Sequence, residues 1–121
     1  MNKILIIDDE PEFIDLFTKS FNGSPLISKV FRSTNEKDGW EIYIREKPEI
    51  VLLDINMPGS VDQYFLKKLK AEGITDAKVI VLSTFGDKDE IDKALELGAK
   101  GYITKGFSLV GLDKKILELI K

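Results

Sequence analysis

The chain has 121 residues, 43% hydrophobic and 32% charged, with a net charge of −3, which suits one globular domain. That slight acid excess excludes a broadly basic nucleic-acid binder. The absence of Cys and His excludes disulfides, zinc–thiolate and iron–sulfur centres, Cys nucleophiles, Ser-His-Asp triads and a phosphohistidine carrier.

The first apolar run, Ile4-Leu5-Ile6-Ile7, stops at Asp8-Asp9-Glu10. It is too short and too acidic at its end for a signal peptide, and no stretch approaches the ~18 apolar residues of a membrane span. A cytoplasmic protein is expected. Pro11 suits a first helical position, and Phe13, Ile14, Phe17 and Phe21 form one stripe of a helix that ends at Asn22-Gly23. A weaker strand follows over Leu26 to Phe31. Asn35 is the expected N-cap of a helix from Glu36 to Glu46, with Trp40, Tyr43 and Ile44 facing inward and Pro48 closing it.

Ile50-Val51-Leu52-Leu53 is the second apolar run and ends at Asp54. A helix over about Val61 to Glu72 packs through Phe65, Leu66 and Leu69 and stops at Gly73. The third run, Val79-Ile80-Val81-Leu82, ends at Ser83. Next come a helix from about Lys88 to Leu97, packing through Ile91, Ala94 and Leu95, and a weak strand over Gly101 to Thr104. The last helix begins after Ser108, with Leu109, Leu112, Ile116 and Leu119 inside.

Apolar runs without alternation read as strands buried on both faces, as in a parallel sheet covered by helices. Five strand–helix units in succession predict an α/β doubly wound fold, with residues 1–121 as a single domain. Ligands of such sheets bind beyond the carboxyl ends of the strands. This rule singles out Asp8, Asp9, Asp54 and Ser83, with Lys105 after the fifth strand. Three carboxylates and one ammonium leave two negative charges, which a divalent hard cation neutralises. Mg²⁺ fits, because it combines one or two carboxylates with retained water and a substrate phosphate. Mg²⁺, a lysine and a hydroxyl are the parts that stabilise a transferring phosphoryl group, and an Asp carboxylate can accept one. Lys67-Lys68 with Lys70, and Lys114-Lys115, read as solvated faces, and no P-loop is present.

Taken together these residues resemble the receiver domain of bacterial two-component response regulators, over the whole chain. The resemblance rests on Ile6-Ile7-Asp8-Asp9-Glu10-Pro11, Leu52-Leu53-Asp54-Ile55-Asn56-Met57-Pro58-Gly59, Val81-Leu82-Ser83, Leu97-Gly98-Ala99-Lys100-Gly101-Tyr102, and Lys105. It implies a flavodoxin-like sheet of five parallel strands in the order 2-1-3-4-5, with five helices. It implies that Asp54 takes a phosphoryl group from a sensor histidine kinase or phosphotransfer protein. Asp8, Asp9, Asp54 and the main-chain carbonyl of Asn56 would hold Mg²⁺, and Lys105 would pair with the phosphoryl oxygens. Ser83 and Tyr102 would switch the face of the fourth helix, fifth strand and fifth helix toward a downstream effector or fused output domain. A phosphorylation-dependent dimer fits the same scheme. Direct nucleic-acid binding and membrane insertion do not, and catalysis would be limited to the domain's own phosphorylation and dephosphorylation.

The chain departs from the family pattern at Gly106, where Pro is usual, at Val61-Asp62, where Asp-Gly is common, and at Phe85. Two rival readings are a phosphorylation-independent interaction module and a haloacid-dehalogenase-like phosphatase. The phosphatase needs a second Asp as general acid, where this chain has Asn56. The module would be marked by loss of Asp54, Lys105 or the acidic pair, and all are present.

Overall fold

The computed structural model describes residues 2–56, 63–83, 88–106 and 110–120. Five strands and five helices alternate among them: β1 Asn2–Ile7, α1 Pro11–Phe21, β2 Ile27–Ser33, α2 Glu36–Glu46, β3 Ile50–Asp54, α3 Tyr64–Ala71, β4 Lys78–Ser83, α4 Lys88–Glu96, β5 Gly101–Thr104 and α5 Leu112–Leu119. The strands form one sheet in the order β2-β1-β3-β4-β5, and every neighbouring pair is parallel. The flavodoxin-like order expected from the resemblance is thus the observed one.

Side chains alternate across the sheet, and each face builds its own core. Ile4, Ile6, Ile50, Leu52, Ile80 and Leu82 meet Ile14, Phe17 and Phe21 of α1 and Leu112 and Ile116 of α5. Leu5, Ile7, Val51, Leu53, Val79 and Val81 meet Tyr43 of α2, Phe65, Leu66 and Leu69 of α3, and Ala94 of α4. Burying each large aliphatic side chain contributes about 1.5–3 kcal/mol, so the two layers supply the main drive to fold.

Local chemistry sets the helix ends. The Asn35 side chain accepts the Asp38 amide at 2.8 Å, the expected N-cap of α2. Gly98, after α4, has φ +109°, a backbone that side chains with a Cβ rarely adopt. Gly39 matters through space: a Cβ there would lie 2.5 Å from Ile7 Cδ1. Its absence lets α2 lie close against β1, one residue before Asp8.

Two expected core positions differ. Ile44 of α2 and Leu95 of α4 are 46% and 39% exposed. In α2 the buried positions are Glu36, Gly39 and Tyr43, spaced by three and four residues. Ile44 lies about 100° around the helix from Tyr43 and so leaves that stripe. The starts of the helices expected from Val61 and after Ser108, and the departures at Val61-Asp62 and Phe85, lie outside the described residues. Gly106 is described, and its peptide bond to Lys105 is trans.

Candidate functional site

The strand register brings the polar strand ends to one edge of the sheet. Ile7 pairs with both Ser33 and Leu53, Asp54 with Leu82, and Ser83 with Thr104. Main-chain bonds extend the alignment past the strands. The Asp8 amide donates to Ser33 O at 3.0 Å, and the Lys105 amide donates to Ser83 O at 2.8 Å. The Lys105 side chain therefore starts from a fixed point and reaches back toward β3 and β1.

Its ammonium reaches three carboxylates: Asp54 Oδ2 at 3.0 Å, Glu10 Oε1 at 2.9 Å and Asp8 Oδ1 at 3.3 Å. Asp8 Oδ2 lies 3.0 Å from Nζ as an ion pair, yet this buried oxygen has no hydrogen-bond partner. The lysine side chain is 5% exposed, and those of Asp8 and Asp54 are 0% and 1% exposed. The Phe13 ring covers the ammonium, its centroid 4.5 Å from Nζ. Two short turns shape the floor. Asp8 Oδ1 accepts the Glu10 amide at 2.9 Å, and Asp54 Oδ1 accepts the Asn56 amide at 2.9 Å.

Protonation reflects this crowding. Burial pushes the Asp8 carboxyl up to about 6, and the Asp54 charge adds to the rise against the Glu10 amide and Lys105. Burial and the Asp54 charge also raise Asp9 above the ordinary carboxylate range. Burial by itself would lower Lys105, but its bonds to Glu10, Asp54 and Asp8 outweigh that and hold it above the usual lysine value.

Asp8, Asp9, Glu10 and Asp54 each offer a carboxylate oxygen, and these oxygens lie within 4.8 Å of one another. An all-oxygen donor set of four carboxylates, opposed by the single charge of Lys105, suits a hard divalent cation. The structure thus brings together Asp8, Asp9, Asp54 and Lys105 as expected. Ser83 stands beside them on β4, 1% exposed, its hydroxyl without a hydrogen-bond partner among the described residues. Tyr102 is apart, on β5 and 49% exposed.

Three contributors escaped the sequence reading. Glu10, the last of the acidic run before α1, binds Lys105 directly. Phe13, a core residue by its place in the apolar stripe, also turns its ring to the lysine; its position in the first turn of α1, beside the acidic run, is the signal for it. Glu36 is 7% exposed, and its Oε1 accepts the Phe65 amide at 3.1 Å, tying the start of α2 to the start of α3. No short-range pattern marks that contact.

A doubly wound sheet with a lysine clamped onto strand-end carboxylates defines a class of phosphoaccepting signalling domains. The chain belongs to it: the family described as "Response regulator receiver domain" matches residues 4–117. Among relatives, it is 32% identical over 107 residues to the Sporulation initiation phosphotransferase F of Bacillus subtilis, covering 88% of this chain and 84% of that protein. It is 31% identical to the Nitrate/nitrite response regulator protein NarL of Escherichia coli, covering 84% of this chain but 47% of that protein. The chain spans about half the length of several such regulators. Among solved structures, a response regulator receiver domain protein from Clostridium thermocellum superposes with a TM-score of 0.84 at 25% identity, covering 99% of this chain and 94% of that one. A Francisella receiver domain gives 0.83 at 22% identity, covering 99% and 97%. Among the described residues, no helix is long and apolar enough to cross a membrane.

Proposed function

We propose that Asp54 is the phosphoacceptor and that Asp8, Asp9, Asp54 and the main-chain carbonyl of Asn56 hold Mg²⁺ beside it. The observation that carries the reading is the 3.0 Å contact between Lys105 Nζ and Asp54 Oδ2 at the centre of the carboxylate cluster. An Asp54 oxygen attacks the phosphorus of a phosphohistidine. The P–O bond forms as the P–N bond breaks, and the imidazole leaves with the electron pair. Bound Mg²⁺ would supply electrostatic stabilisation of the phosphoryl oxygens. Lys105 neutralises further charge on those oxygens from a position fixed by the hydrogen bond its main-chain amide donates to Ser83 O.

Transfer replaces one carboxylate charge by about −2 and adds acceptor oxygens. The Ser83 hydroxyl, buried and without a hydrogen-bond partner among the described residues, turns toward them. Ser83 pairs with Thr104, two residues along β5 from Tyr102 and on the same face of that strand. Ser83 movement then opens room for Tyr102 to leave its exposed position, changing the surface of α4, β5 and α5. This is a two-state element biased by one local charge. The phosphoryl source is a histidine kinase or phosphotransfer protein, and the reader is an effector or fused output domain.

The test is incubation with acetyl phosphate and Mg²⁺ followed by intact-mass measurement. One phosphoryl group should appear, disappear in excess chelator, and be absent from Asp54→Ala. Undiminished labelling of Asp54→Ala at another carboxylate would falsify the assignment.

A further inference from the structure

Lys105 has three N–H bonds and spends each on a carboxylate: Asp8, Glu10 and Asp54. Phe13 covers the ammonium as well. A phosphoryl donor approaching Asp54 therefore meets a lysine with no N–H to spare, and one of the three bonds must open before its oxygens are bound. Asp8 and, until transfer, Asp54 are buried carboxylates, so either one released at that stage loses the lysine without regaining water. Glu10 differs, because its side chain is 46% exposed and is rehydrated on release. It also makes the shortest of the three hydrogen bonds. Glu10 occupies the N-cap position of α1 but makes no side-chain cap bond there, so its carboxylate is committed to the lysine.

We infer that Glu10 is a positioning residue that restrains Lys105 in the unphosphorylated protein and competes with the phosphoryl group for its ammonium, slowing phosphorylation. The inference rests on Asp54 being the acceptor. In the assay step, an Asp54 oxygen bonds to the phosphorus of acetyl phosphate, the bond from phosphorus to the acetyl oxygen breaks, and acetate leaves with the electron pair. Removing the tether leaves Asp54 and Asp8 in place and frees one N–H for the incoming oxygens.

The experiment measures labelling rates with acetyl phosphate for the wild type, Glu10→Gln, Lys105→Ala and the double variant, across a Mg²⁺ titration. Glu10→Gln should raise the maximal rate about three- to fivefold, the range of a partly exposed ion pair. The Mg²⁺ half-saturation should move less than about twofold, because the competed group is the lysine. In the Lys105→Ala background the same substitution should give no acceleration, since the interaction it removes is already gone. An unchanged or slower Glu10→Gln overturns the inference. So does equal acceleration in both backgrounds, which would mean simple charge repulsion of the donor. A fall in rate together with weakened Mg²⁺ binding would make Glu10 a metal ligand instead. Wild-type labelling at Asp54 keeps the phosphoacceptor reading separate from all of these, and a wild-type chain that takes up no phosphoryl group overturns both.

Discussion

The bodies of the three central strands and their carboxyl ends lie one residue apart and are buried alike. Ile4–Ile7, Ile50–Leu53 and Val79–Leu82 are at most 1% exposed, while Asp8, Asp54 and Ser83, which follow them, are 0%, 2% and 1% exposed. Their energetics oppose each other. Each apolar residue gains by leaving water, whereas each buried carboxylate loses hydration and survives only through a partner. Lys105 is that partner for two of them, and a third carboxylate, Glu10, shares it. The sheet is thus built to fold along its length and to do chemistry at its edge, with the stability of the first carrying the strain of the second.

The contrast breaks most sharply at Asp54. Asp54→Ala should lose phosphorylation completely yet remain folded, because it removes a buried charge from a repelling cluster. Intact mass and thermal melting read the two effects together, and a collapsed fold would place Asp54 in the structural class. Two residues earlier on β3, Leu52→Ala should do the reverse. It should cost about 2–5 kcal/mol in denaturant unfolding, as core truncations do, while whatever protein remains folded still takes up phosphate.

Lys105→Ala probes the shared partner. It leaves Asp8 and Asp54 buried and uncompensated, which should cost about 3 kcal/mol in chelator. Phosphorylation should fall sharply while Mg²⁺ affinity stays level or rises slightly, so added Mg²⁺ should raise the melting temperature at least as much as in the wild type. A large loss of Mg²⁺ affinity in the folded variant would assign the lysine a different role.

Acid titration sharpens the same point. Asp8 binds its proton more tightly in the folded state, at about 6, than its ordinary value of 3.8. Its contribution to stability is therefore complete below about pH 4 and is lost as pH rises through 6. In chelator, Asp8→Asn should match the wild type near pH 4 and exceed it by about 2 kcal/mol near pH 7. Mg²⁺ should shrink that advantage at pH 7 by stabilising only the wild-type carboxylate. Equal stability of the two proteins at pH 7 in chelator would remove the electrostatic strain assigned to the edge.

The smallest effect belongs to Gly39→Ala. Helix propensity favours Ala by about 1 kcal/mol, but its Cβ meets Ile7, and overpacking costs about 1–3 kcal/mol. A net loss of about 1 kcal/mol is expected, with slower phosphorylation, because Ile7 leads directly into Asp8. A stabilised variant with unchanged labelling would show that the α2–β1 approach has slack.

Much of the fold was legible because its signals are local. Four-residue apolar runs can be satisfied only between two helical layers, and Asn35 and Gly98 mark helix ends through their own backbone and side-chain chemistry. The edge position of Asp8, Asp54, Ser83 and Lys105 followed from the parallel sheet, whose carboxyl ends all point one way. Ile44 and Leu95 failed because hydrophobicity alone does not fix a helix's rotation about its axis. In α2 that rotation follows the buried stripe of Glu36, Gly39 and Tyr43, one of them a carboxylate.

What the amino-acid order determined, then, was which elements form, that they alternate, and which polar residues end the strands. Tertiary structure alone decided how those residues divide one ammonium. Lys105 lies 95 residues from Glu10 and 51 from Asp54 along the chain, and its choice of partners depends on side-chain reach across β1, β3 and β5. Tertiary structure also placed Glu36 under the Phe65 amide and left the Ser83 hydroxyl without a hydrogen bond among the described residues. The reason is physical: apolar burial is non-directional and can be read from composition along a strand, whereas hydrogen bonds and ion pairs depend on ångström-scale distances that exist only once distant elements have packed.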